Sequence, residues 1–335
     1  WSDEHDLPSA RAAQSVAEIA RAFSPDVVAV HNVLDSGVVQ TAAEFAPRFV
    51  YHLHDHRPFC PNGDRLYPQG GSICGAPMSR TACGFHSLVH GCAYGPRPST
   101  LQLVDIRERV AQCVREADAT IVFSQYVADL ALRNGVAQAR TELLEPPLDD
   151  ASYAEDPVPR PENDAVLFAG RIVPSKGARS LVRALARIDA GRRPVLRIAG
   201  DGPDLGATVD EAFDRGVRIE YLGRLDAEKL RKAYDDATVV AVPSTWGEPF
   251  GLVGIEAFAR GRPVAAYDSG GIAQWLVSAA GRLVPRGDEE ALAHAIDTLL
   301  GPRTWPEASA GAFAAAQAYR LHSHVLRLRA IYGAP

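Results

Sequence analysis

From Val166 onward the chain is governed by one pattern, in which short apolar runs alternate with amphipathic stretches. Strands are expected at Val166–Ala169, Val195–Ala199, Ile219–Leu222, Val239–Val242 and Val264–Ala266. Between them the spacing predicts helices near Ala178–Ile188, Leu205–Arg215 and Glu228–Ala237, with another opening at Gly251. Apolar strands separated by helices imply a parallel sheet covered on both faces. The fold class expected is therefore α/β and doubly wound.

The first part of the chain is less regular. Ala12, Val16, Ile19, Ala20 and Phe23 fall at helical spacing in Pro8–Phe23. Strands are expected at Val27–Val30, Phe49–Leu53 and Thr120–Phe123, and a helix at about Leu101–Glu116. Arg57–Thr100, rich in Gly, Pro, Cys and His, is expected to be irregular. Glu145–Asp164 carries five prolines among acidic residues, which predicts a stiff, solvated linker. The chain closes with an Ala-rich helix over Pro306–Tyr332.

At 335 residues and 47% hydrophobic side chains, the chain is long enough for about two domains. A net charge of -6 argues against a general nucleic-acid binder. No long apolar run or leader pattern is read, and the expected location is cytoplasmic. Arg107, Arg109 and Arg115 are interrupted by Glu108 and Glu116. They are expected to form a solvated helix face, with membrane contact at most peripheral.

Ligands of doubly wound sheets bind at the carboxyl ends of the strands, and four motifs stand there. Gly170-Arg171 and Lys176-Gly177 follow the first strand; the two cations suit a phosphate, or are solvated surface charges. Gly200-Asp201-Gly202-Pro203 admits close approach, or is a plain turn. Ser269-Gly270-Gly271 is open to the same two readings. The most informative stretch runs from Pro243 to Ala257. There Glu248 precedes, and Glu256 follows, a helix start at Phe250, Gly251 and Leu252 whose N–H groups form an anion site. Two carboxylates flanking such a helix start can hold sugar hydroxyls at both ends of a nucleotide sugar. They can equally be a dipole partner and a helix residue. The apolar neighbours of Glu256 predict a partly buried carboxylate in need of a hydrogen-bonding partner.

Gly170-Arg171, Lys176-Gly177, Glu248-Pro249-Phe250-Gly251, Glu256-Ala257 and Gly261-Arg262-Pro263-Val264 with Gly270-Gly271 together resemble the donor domain of retaining glycosyltransferase family 4. The likeness covers about residues 165–300. It implies the GT-B architecture, two Rossmann-like domains facing across a cleft. It also implies that Arg171 and Lys176 neutralise a donor diphosphate, that Glu248 holds the transferred sugar and that Glu256 holds the ribose. Phe250, Gly251 and Leu252 would supply backbone contacts, and Gly202 would line the donor site. Arg224, in Leu222-Gly223-Arg224, would lie beside the nucleobase. Tyr51-His52-Leu53-His54-Asp55 resembles the strand whose final histidine reaches the donor sugar, a role that maps to His54. His52 and His56 are its neighbours, and Ser124 is a plausible cleft residue.

The divisions expected are an amino-terminal domain over 1–150 with a Cys/His-rich insertion at 57–100, a linker at 151–164, a donor domain at 165–312 and a closing helix at 313–335. That helix would return to the amino-terminal domain. The family opens with a strand, a Gly-Gly loop and a helix. Only 24 residues precede Pro25 here, they contain no Gly-Gly, and the chain begins at Trp1. The amino-terminal domain is therefore expected to be incomplete.

The activity implied is retaining transfer of a sugar from a nucleoside diphosphate sugar, the co-substrate, to an acceptor hydroxyl on a natural product, polysaccharide or glycolipid. The resemblance implies no catalytic metal. A sugar-nucleotide epimerase or transferase-like enzyme on the same fold, and a non-catalytic nucleotide-sugar binding protein, are the alternatives. Cys60, Cys74, Cys83 and Cys92, with thirteen, eight and eight residues between them, are a candidate structural zinc site. Two disulfides or reduced thiols remain the other readings, and the insertion is expected to border the acceptor site.

Overall fold

A computed structural model describes residues 9–67, 71–92 and 97–333. Trp1 and Pro8, together with parts of the insertion, lie outside them. The chain divides into two compact units: one runs to Glu145 and takes up the stretch from His324, and the other spans Pro146–Ser323.

The first unit contains α1 (Ala10–Phe23), β1 (Val27–His31), α2 (Ser36–Glu44), β2 (Arg48–Leu53), α3 (Arg80–His90), α4 (Arg97–Glu116), β3 (Ala119–Val122), α5 (Gln125–Arg133) and β4 (Thr141–Leu143). Its four strands form a parallel sheet in the order β1-β2-β3-β4. Alternation along β2 divides the core. Phe49, Tyr51 and Leu53 pack with Val39 of α2 and with Val110 and Val114 of α4. On the opposite face Val50 meets Ala119, Ile121 and Leu144.

The second unit contains β5 (Ala165–Ala169), α6 (Ala178–Ala186), β6 (Val195–Ala199), α7 (Leu205–Asp214), β7 (Ile219–Gly223), α8 (Ala227–Asp235), β8 (Val239–Val242), α9 (Leu252–Ala259), β9 (Val264–Tyr267), α10 (Ile272–Trp275), β10 (Gly281–Val284), α11 (Glu289–Leu299) and α12 (Thr304–Ala316). Six parallel strands run in the order β10-β9-β8-β5-β6-β7, so the winding reverses between β5 and β8. Val166, Leu196, Ile198, Val239 and Ala265 are buried, with Leu181, Leu185 and Ile296 of the covering helices. Each such aliphatic side chain is worth about 1.5–3 kcal/mol when fully withdrawn from water.

Four expectations need correction. The insertion is not irregular throughout, because Ser79 caps α3 by accepting from Ala82 N–H. Residues 146–164 are no free linker: Leu148 is buried, its N–H donates to Tyr319 O (2.9 Å), and buried Arg262 holds the Val158 and Pro159 carbonyls. The closing segment is two helices, α12 and α13 (Leu321–Tyr332). A short 3-10 turn at Gln317–Tyr319 precedes extended Arg320, which bridges to Leu148 and covers the Tyr153 ring at 3.6 Å. Leu328, Ile331 and Tyr332 of α13 then pack on the Val50 face of the first sheet. Arg107 is buried whereas Arg109 is exposed, so the α4 arginines form no common solvated face. Among the described residues no helix is long and apolar enough to cross a membrane.

Candidate functional site

The reversal between β5 and β8 brings the most informative motifs together. A 3-10 turn at Pro174–Lys176 follows β5 and ends on Gly177, whose φ is +77°. A Cβ at Gly177 would stand 1.9 Å from the Pro243 carbonyl oxygen, so only glycine lets the turn lie on the end of β8. Thr245 N–H donates to Ser175 O at 2.9 Å and secures that placement. Lys176 Nζ is thereby carried to 2.6 Å from Glu248 Oε2.

Glu248 is buried, and Oε2 also accepts from Ser244 Oγ and Trp246 Nε1, both at 2.9 Å. Burial alone would raise its carboxyl. The Lys176 ammonium and the three hydrogen bonds outweigh burial, and hold it below the ordinary carboxylate range. The Ser269–Gly271 loop supports the peptide on the other side. Gly271 N–H donates to Glu248 O at 2.7 Å, and the Ser269 hydroxyl to Trp246 O. Arg286 Nη1 donates to Thr245 O at 2.7 Å.

Gly251 opens α9 without a side-chain cap, so the positive end of the helix lies beside this carboxylate. Phe250 is buried and Leu252 is 44% exposed. Further along α9, Glu256 Oε2 accepts the Tyr234 hydroxyl of α8 at 2.6 Å. Burial raises the Glu256 carboxyl, and the Tyr234 bond offsets part of that rise.

The remaining donor-side residues are distributed along the same edge. Arg171 is exposed just after β5. Gly202 lies against the Ile172 backbone: a Cβ there would meet Ile172 O at 2.2 Å, so the protein's own backbone already demands its small size. Arg224 is exposed at the end of β7, two strands from β5, apart from the Lys176–Glu248 pair. A depression of about 1050 Å³ lies at the opposite, amino ends of β5 and β6. Its Arg160, Arg192 and Arg197 are paired with Asp164, Asp297 and Glu220, and it is set apart from these motifs.

In the first unit, His54 follows β2 and belongs to a cluster. His31 Nδ1 and His54 Nε2 are 3.1 Å apart, the His31 and His52 rings stack at 3.7 Å, and His54 meets Phe123 edge-on. His52 Nε2 bonds the Tyr332 hydroxyl of α13 at 2.9 Å. Burial lowers all three imidazoles, that of His52 to about 3. Ser124 is fully buried and caps α5 through Val127 N–H, so the expectation that it lines a cleft is corrected. His56 is also buried.

Several of these partners escaped the sequence reading. Tyr234 carries no local signal, since it occupies an ordinary amphipathic position in α8. Ser244 and Trp246 stood within the quoted stretch without an assigned role, and Arg286 and His31 were not singled out.

Residues 163–301 match the family described as glycosyl transferases group 1. A D-inositol 3-phosphate glycosyltransferase of Mycobacteroides abscessus is 32% identical over 292 residues, covering 79% of this chain and 62% of its own length. A phosphatidyl-myo-inositol mannosyltransferase of Mycolicibacterium smegmatis is 35% identical over 183 residues, covering 52% of this chain and 47% of its own. The chain thus spans less than two thirds of either relative. A crystal structure of HepE from Anabaena in complex with UDP superposes with a TM-score of 0.71 at 20% identity, over 94% of this chain and 80% of that one. Residues 163–301 thus form a glycosyl transferases group 1 domain, and the chain as a whole has the GT-B fold.

Proposed function

We propose that the chain is the catalytic part of a retaining glycosyltransferase that moves a sugar from a nucleoside diphosphate sugar to an acceptor hydroxyl. The observation that carries this reading is the convergence, where the sheet reverses, of Lys176, an ionised Glu248 and the uncapped start of α9.

Loss of a nucleoside diphosphate builds negative charge on the leaving phosphate. Lys176 and the Phe250–Leu252 amides are assigned to that charge, with Arg171 at the same edge. These groups take the diphosphate without assigning that task to a metal. The described donors to Glu248 all converge on Oε2, which leaves Oε1 to accept from a sugar hydroxyl. Glu256 is assigned the ribose and Arg224 the base. His54, held neutral by its surroundings, is assigned a sugar hydroxyl.

With no side chain assigned as a covalent nucleophile, the reading is front-face departure, in which the donor phosphate takes the acceptor proton. The C–O bond to phosphate breaks as the bond to the acceptor forms on the same face. The named relatives favour a polyol or glycolipid acceptor.

The test is incubation with a panel of nucleoside diphosphate sugars and hydroxyl acceptors, followed by NMR of the new anomeric centre. Retained configuration is expected. An inverted product contradicts the retaining mechanism, an epimerised donor with no transfer favours an epimerase, and binding without turnover favours a binding protein.

A further inference from the structure

We propose that Cys60, Cys74, Cys83 and Cys92 hold a zinc ion that staples the insertion between β2 and α4. All four thiols line one cavity of about 30 Å³, together with Tyr67 and His86. A space of ~10–15 Å³ already admits a water-sized occupant, so a single ion fits. None of the four cysteines is in a disulfide.

Polar groups and a tight turn gather around these thiols. At Cys60 the backbone folds back on itself, with Gly63 N–H donating to Cys60 O at 3.0 Å. The chain turns sharply there, with Gly63 at φ +83°. The Tyr67 hydroxyl donates to Cys74 Sγ at 3.2 Å, and His86 Nε2 lies 3.3 Å from that hydroxyl as an outer support. Cys83 sits in the first turn of α3, at the positive end of the helix. Four cysteines around one small cavity make a soft donor set, and soft sulfur ligands select zinc among the common divalent ions.

The segment also needs a staple. No residue of α3 is fully buried, and Phe85, Leu88 and Val89 are each about half exposed, so packing alone gives it little support. No three of the thiols lie within 4.8 Å of one another, as the nitrogens of His31, His52 and His54 do, so the proposed binding requires them to close on the ion. That histidine group is the weaker ligand set, because the stacked rings of His31 and His52 do not aim at a common ion.

Binding exchanges the thiol protons for one Zn²⁺ and is independent of the proposed sugar transfer. The test is zinc content, by elemental mass spectrometry, of the full chain purified from zinc-supplemented cells. About one zinc per chain is expected, retained in Cys113→Ser and His86→Ala and reduced at least tenfold in Cys60→Ser or Cys74→Ser. Should those variants fail to fold, cobalt added to the metal-stripped wild type must give thiolate charge-transfer absorption. A metal-free wild type without that absorption, or disulfides among these cysteines on peptide mapping, overturns the proposal.

Discussion

Lys176 Nζ and Glu248 Oε2 lie 2.6 Å apart, although 72 positions separate the two residues in the chain. The cation proposed for the donor phosphate and the carboxylate proposed for its sugar therefore form one unit before any ligand arrives. Lys176→Met leaves a buried, ionised carboxylate short of its principal partner, which costs about 1–3 kcal/mol. At about 2–4 °C per kcal/mol for a domain of this size, thermal melts resolve that loss. The double variant Lys176→Met/Glu248→Gln is expected to recover most of the melting temperature. Neither variant recovers transfer, which falls about 100–1000-fold. A Lys176→Met protein that melts and turns over like wild type contradicts the pairing.

Tyr234 and Glu256 give a pH signature. The Tyr234 hydroxyl restrains the rise that burial imposes on Glu256, so Tyr234→Phe lets the carboxyl climb further and protonate at higher pH. Donor binding that uses ionised Glu256 should lose affinity at a higher pH in Tyr234→Phe than in wild type. A carboxyl raised in the fold opposes folding once ionised, so stability of the variant should also fall more steeply as pH rises. Calorimetric titrations and melts across pH check both, and superimposable profiles rule the role out.

The histidine cluster sets acid stability. His52 is held neutral in the fold, down to about 3, by burial and then by His31, His54 and His324. The unfolded chain takes up that proton near pH ~6.5. The contribution is thus complete above ~6.5 and is lost as pH falls from there through the folded value. Urea midpoints for wild type should drop on mild acidification, and those of His52→Asn should drop less.

Gly177 is the mechanical link between the two loops. Gly177→Ala forces φ +77° on a residue with a Cβ and presses it against Pro243 O, at about 1–3 kcal/mol. The displaced Lys176 turn should weaken donor affinity along with stability. Gly206→Ala, with open space around it, is the control expected to do neither. Equal melting temperatures for the two variants would remove the link.

Sequence legibility follows burial. β5, β8 and β9 are buried along almost their whole length and read as continuous apolar runs, whereas β6 is apolar except for half-buried Arg197 at its centre. The short strand β4 is interrupted by Glu142, and β10 by Arg282, so neither stands out from a loop. The motifs after β5 and β8 were readable because glycine, proline and charge are concentrated at strand ends. The Lys176–Glu248 bond, the Tyr234–Glu256 bond and the stacking of His31 on His52 were not readable, since each depends on strand order. Gly202 shows the converse limit: its size is demanded by the Ile172 carbonyl, a contact that looks in sequence like a ligand loop.

The central claim is that this edge of the second sheet binds a nucleoside diphosphate sugar through Lys176 and Glu248. Isothermal titration of the chain with UDP-, GDP-, ADP- and dTDP-sugars tests it most directly. Saturable one-site binding of at least one donor is expected, weakened at least tenfold in Lys176→Met. Binding of none of them, or equal affinity in wild type and Lys176→Met, would contradict it.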